Sequence, residues 1–177
     1  MDEKKNRKNW LNAGLTALAD AGPKGLRIMS IAKQLGVTKG SFYWHFKNLE
    51  EYESALIEEW EQCHTLEAIE CVENAGGDAD TKLRHWFMGA AASDFTLARA
   101  IRSWSLTDQV VREVQARVDQ RRIDYLVKLL RGIGWPKEEA TTLGRWAYWA
   151  FIGYSTLEGP PVTIKQLTLI LDILTPR

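Results

Sequence analysis

Cysteine and histidine are scarce in these 177 residues, two of the former and three of the latter. Cys63 and Cys71 stand eight apart on one helical pattern, about 12 Å of rise, so they cannot pair with each other without unwinding it. A disulfide-stapled framework is therefore excluded, and reduced thiols in a cytoplasm are the expectation. His45, His64 and His85 fall in no metal or triad spacing. Cys63, His64, Glu67 and Cys71 could gather a soft metal on one helix, but structural zinc ligands come in short-spaced pairs, and neither metal nor cofactor is expected. The chain also lacks a glycine-rich phosphate loop, a G-x-S-x-G elbow and an isolated carboxylate pair for acid–base work, so it does not read as an enzyme. Its start, MDEKKNRKNW, has no apolar export segment. The most apolar run, Trp146 to Leu157, falls short of the ~20 residues that a membrane span needs. Strand alternation, internal repeats and low-complexity tracts are missing as well.

What remains is helical periodicity in a chain that is 45% hydrophobic, enough to bury a core in one domain or two small ones. The formal net charge of zero conceals a division. Residues 1–50 hold nine Lys or Arg against four Asp or Glu, net +5, and the remainder holds 14 against 19, net −5. A basic head on an acidic body is the charge asymmetry expected of a segment that meets nucleic acid.

Within that head, IMSIAKQLGVTKGSFYWHF (residues 28–46) organises the rest. Ile28, Ile31, Ala32 and Leu35 form one apolar face of a helix about two turns long, which should stop at Gly36 and return Val37 to the core. Thr38 is placed to cap a second helix, Thr38 to Phe46, whose small or basic opening residues Lys39, Gly40 and Ser41 can approach a phosphate. Phe42 and Phe46 supply its inner face, leaving Tyr43, Trp44, His45 and Lys47 with aromatic surface, donors and charge. This is a helix-turn-helix pattern.

IAKQLGVTKGSFYWHFKN resembles the DNA-binding segment of the tetracycline-repressor (TetR) family of bacterial transcription regulators, with Gly36, Gly40, Tyr43, His45 and Phe46 in register. Two positions depart from the family pattern: Arg27 stands where Thr or Ser usually caps the first motif helix, and Leu49 where a phosphate-contacting Lys is frequent. The resemblance implies an all-α fold with a three-helix head at 1–49 and a helical ligand-binding and dimerisation body at 50–177. It implies a homodimer that binds a double-stranded, palindromic DNA operator and represses transcription until a small molecule releases it. Lys39, Ser41 and Tyr43 would then lie nearest the bases, with Thr38 and Gly40 at the helix start and Trp44, His45 and Lys47 on or near phosphates.

The other elements follow from the same periodicity. Arg7 to Ala21 reads as a helix ended by Gly22-Pro23, and its basic start (Lys4, Lys5, Arg7, Lys8) suits either a phosphate backbone or a solvated terminus. Asn48 and Glu51 form an N-x-x-E capping box opening an acidic connector helix to about Ile69, the part that moves in the family. Asn74 to Asp80 is a loop. Helices follow at 81–92, 97–106, 108–133, 137–157 and 163–174, with a break at Gly159-Pro160-Pro161. The last helix is apolar on more than one side and needs a partner subunit to cover it. Eight tryptophans are many for this length. Trp86, Phe87, Trp104, Tyr125, Trp146 and Tyr154 are the candidates to line a pocket for an apolar or aromatic ligand. A TetR-shaped small-molecule-binding protein without a DNA role is the alternative reading, supported by Arg27 and Leu49 alone.

Overall fold

Local capping sets most of the helix ends. The computed structural model describes residues 6–157 and 160–175, and those residues are helical with no strand. In α1 (Arg7–Ala21), Asn6 and Asn9 cap each other reciprocally, each Oδ1 accepting from the other's backbone N–H at 2.9 Å. The chain leaves α1 at Gly22 and makes one 3₁₀ turn, Gly22–Gly25. α2 (Ile28–Leu35) stops at Gly36, whose φ of 70° and ψ of 29° lie in the left-handed region that a side chain would strain. Gly36 N–H donates to Lys33 O at 3.1 Å and Val37 N–H to Ala32 O at 3.0 Å, the paired bonds of a Schellman stop.

The second motif helix is shorter than its sequence suggests. α3 spans Lys39–Phe42, and the expected continuation to Phe46 is instead wound tightly: Trp44 N–H reaches Ser41 O and His45 N–H reaches Phe42 O. Phe42 and Phe46 are both fully buried against Trp10 and Tyr52, with ring centroids 4.8–5.4 Å apart. Seating both rings in one cage accompanies the tightening. Thr38 stands at the N-cap position, but its side chain accepts no capping hydrogen bond.

α4 (Leu49–Glu61) begins as expected, with Asn48 Oδ1 accepting from Glu51 N–H at 2.8 Å. The box is not reciprocal, because Glu51 Oε2 accepts from Lys47 N–H instead, at 3.0 Å. The connector does not end near Ile69. It passes through a π-wound segment, Gln62–Leu66, and continues as α5 (Glu67–Ala75), shortening the expected 74–80 loop to Gly76, Gly77 and Asp78. There follow α6 (Ala79–Ala91), α7 (Thr96–Trp104), α8 (Gln109–Ile133), α9 (Lys137–Thr156) and α10 (Ile164–Leu174). Thr163 and Gln166 make a reciprocal capping box for α10. Of the expected break after α9, Gly159 lies outside the described residues.

The chain forms two compact units. The first runs to Cys63 and takes in Thr96–Ala116. Its core joins Trp10, Leu11 and Leu18 of α1 to Ile31, Phe42, Phe46, Tyr52, Leu56, Ile57 and Trp60, with Ile101 from α7. Gly14 lets α4 close on α1, since a Cβ there would fall 2.1 Å from the Tyr52 hydroxyl. That hydroxyl donates to Trp10 O at 2.6 Å, and burial pushes its pKa up. The second unit comprises His64–Phe95 and the chain from Arg117 onward. Leu83, Phe87, Tyr125, Leu126, Leu129, Leu130, Ala140, Tyr148, Leu167 and Leu171 fill its core. Among the described residues no helix is long and apolar enough to cross a membrane.

Candidate nucleic-acid interface

The tight packing of Phe42 and Phe46 dictates what the motif shows to solvent. With those rings buried, Lys39, Gly40, Tyr43, Trp44 and Lys47 are exposed, and Ser41 and His45 are half-buried beside them. Trp44 is 86% exposed and Tyr43 53%, unusual for side chains with so much apolar surface. Residues 28–47 carry three lysines and no Asp or Glu. All three, Lys33, Lys39 and Lys47, are exposed. Gly40 leaves the start of α3 unobstructed, its nearest neighbour to a would-be Cβ being Thr38 Oγ1 at 3.6 Å.

Sequence reasoning missed part of this surface. Met29, Ser30 and Lys33 of α2 line an open groove with Val37, Thr38 and Lys39. Met29 and Lys33 sit one helical turn apart off the apolar face of α2, a spacing that would have marked them. Arg27 stands at the N-cap of α2 with no side-chain capping bond, and Leu49 is the first residue of α4. The head's basic start is largely engaged within its own unit. Lys8 pairs with Glu59, whose carboxyl is held below the usual range chiefly by that lysine, and Cys63 Sγ donates to the same carboxylate at 3.2 Å. The Arg7 guanidinium lies 5.1 Å from the Phe46 ring centroid. Lys4 and Lys5 lie outside the described residues.

The six aromatic residues named for a ligand pocket do not form one group. Trp86 and Tyr125 meet edge to face at 5.2 Å, and Phe87 is buried in the same core. Tyr154 packs on Phe95 at 5.7 Å and its hydroxyl accepts from Val162 N–H. Trp104 belongs to the first unit, while Trp146 is 64% exposed and stacks edge-on with exposed Trp149.

Residues 11–51 match the family described as bacterial regulatory proteins, tetR family. No curated protein sequence matches the chain. Among solved structures, a TetR transcriptional regulator from Legionella pneumophila superposes with a TM-score of 0.81 at 15% identity, covering 99% of this chain and 100% of that one. The reduced form of E. coli NemR gives 0.76 at 16%, covering 95% of each chain. A transcriptional regulator from Rhodococcus sp. gives 0.70 at 22%, covering 96% of this chain and 94% of that one. Identities this low establish likeness of fold, and the helix-turn-helix segment carries the closer relation. That head segment, matching the tetR family of bacterial regulatory proteins, is thus set in an all-helical chain whose fold resembles solved TetR regulators along its whole length.

Proposed function

We propose that the protein is a homodimeric repressor that reads a palindromic operator with α3 and the turns after it, and lets go when a small apolar or aromatic molecule binds its body. One observation carries the reading: burial of Phe42 and Phe46 leaves an acid-free face of Lys39, Gly40, Tyr43, Trp44 and Lys47 in solvent. On this reading Lys39, Ser41 and Tyr43 approach base edges, and Thr38, Gly40, Trp44, His45 and Lys47 hold the phosphates. The division of labour falls near residue 49, with 1–49 reading DNA and 50–177 sensing and dimerising.

Two further observations support the dimer and the sensor. On α10, Ile164, Leu169, Ile170 and Ile173 are exposed while Leu167, Leu171 and Leu174 are buried, and on α9 Trp146 and Trp149 are exposed. A partner subunit is the economical cover for these two faces, and it takes Trp146 out of the pocket and into the interface. The pocket-side candidates left together are Trp86, Phe87 and Tyr125, with Tyr154 beside Phe95. A ligand favouring the released state by ~1–3 kcal/mol would lower operator affinity roughly 5- to 150-fold. The test is a gel-shift against DNA flanking the protein's own coding region, with and without candidate ligands. Retarded bands that a ligand dissolves are expected. Absence of any sequence-selective shift would leave a helical binding protein without a DNA role.

A further inference from the structure

α2 buries one side and shows the other. Ile31 and Ala32 are buried in the head's core, which turns Met29, Ser30 and Lys33 outward. Met29 is 63% exposed. A scattered apolar side chain at the surface is ordinary, but this one has particular company. With Ser30, Lys33, Thr38 and Lys39 it lines a groove of about 650 Å³ between α2 and the start of α3, inside the first compact unit. The lining holds two lysines, two hydroxyls and no Asp or Glu.

An occupant of this groove has to satisfy two demands. It must bring negative charge to Lys33 and Lys39, and an apolar projection to Met29. Duplex DNA meets both, because phosphates supply the charge and the thymine 5-methyl is the one methyl group that base edges present in the major groove. An acidic protein segment with an apolar side chain is the rival occupant. Continuity decides for DNA, since Lys39 lines the groove and also belongs to the acid-free face already assigned to the operator. The side chain suits the task. A thioether on an unbranched stem is soft and adaptable, so it can follow a methyl group without a single required approach. Met29 and Lys33 stand one helical turn apart on the same side of α2, so one can meet a base edge while the other reaches the phosphate beside it.

We propose that α2 is a second reading element: Met29 recognises the 5-methyl group of a thymine in each half-site, and Lys33, with Ser30, holds the flanking phosphate. This rests on the DNA role proposed above and extends base reading from α3 to the helix before it. The two side chains contribute in different ways. Lys33 attracts any duplex, whereas Met29 gains only where a methyl group stands at the right place. Uracil pairs as thymine does and lacks only that methyl, so a thymine-to-uracil exchange isolates the contact.

The full chain and Met29→Ala are titrated on the selectively bound duplex, with each thymine replaced in turn by deoxyuridine at both symmetry-related positions. Met29 is exposed, so its truncation leaves the buried Ile31 and Ala32 in place. One thymine pair should stand out, its exchange weakening the parent by roughly fourfold for each methyl lost. Met29→Ala should bind the unmodified duplex more weakly by a similar factor and be indifferent to that exchange. Lys33→Ala should weaken every duplex alike, soften the salt dependence and keep the thymine preference. Peroxide footprinting gives a second readout, in which bound duplex should slow oxidation of the Met29 thioether several-fold. If no thymine exchange affects the parent more than Met29→Ala, the reading by α2 is overturned. Undiminished Met29 oxidation in the complex overturns it too and leaves the groove to a protein segment. Absence of any selective binding by the parent defeats the repressor reading and this one with it, whereas selective binding without a methyl-sensitive position defeats this one alone.

Discussion

Lys39 and Lys47 are both exposed lysines of one short segment, yet the proposed docking gives them different work. Lys39 at the start of α3 reads base edges, so Lys39→Ala should shift the preference at one or two base pairs. Lys47 meets phosphate, so Lys47→Ala should weaken all sequences alike and flatten the log–log salt dependence by about one unit. Competition binding against a randomised operator pool at several salt concentrations separates the two, and equal, sequence-independent losses in both variants would reject the assignment. Glu73 offers a residue-scale test of the second unit. Lys128 and Lys82 hold its carboxyl down to about 2, below the ordinary 4.5. A depressed carboxylate contributes stability above its unfolded pKa and loses that contribution as the pH falls through its folded one. The parent should therefore resist urea better than Glu73→Gln at about pH 7, with the gap closing between about pH 4.5 and about pH 2. A gap that does not change with pH would mean the ion pairs do not carry the shift.

At the scale of elements, the sequence was legible where local rules act alone. The ends of α1 and α2 follow from Gly22 and Gly36, and the cap at Asn48 holds, whereas the reciprocal caps at Asn6 and Thr163 went unread. It was less legible where tertiary packing chose among local options. α3 tightens past Phe42 because two rings share one cage, and Glu51 has two backbone N–H groups within reach and takes Lys47 instead of Asn48. The π segment was hidden for another reason: nothing in QCHTL distinguishes it, and Arg122, which donates to Thr65 Oγ1, stands 57 positions beyond it. Tryptophan was legible as abundance but not as location, since burial and exposure depend on which helix faces meet. Contact between α1 and α4 can be tested directly. Gly14→Ala places a methyl against the Tyr52 hydroxyl and should cost about 1–3 kcal/mol by chemical denaturation. No measurable loss would mean that α1 and α4 do not approach so closely.

For the molecule as a whole, the proposed dimer ties the two ends of the chain together in function. Ile170 and Ile173 are exposed on α10, and a charge there should split a dimer without disturbing the buried Leu167, Leu171 and Leu174 beneath. Ile173→Glu should sediment as a folded monomer with weakened operator binding, whereas a parent chain already monomeric at micromolar concentration would dismiss the interface. The claim on which the rest depends is that this head reads duplex DNA as part of a dimer. The most direct measurement is fluorescence anisotropy on the duplex flanking the protein's own coding region, titrated beside a scrambled duplex, with mass photometry counting the chains bound. The account predicts preferential binding of that duplex by an even number of chains, weakening steeply with salt and reduced in Lys47→Ala. Equal affinity for the scrambled duplex, or a single chain on the preferred one, would contradict it.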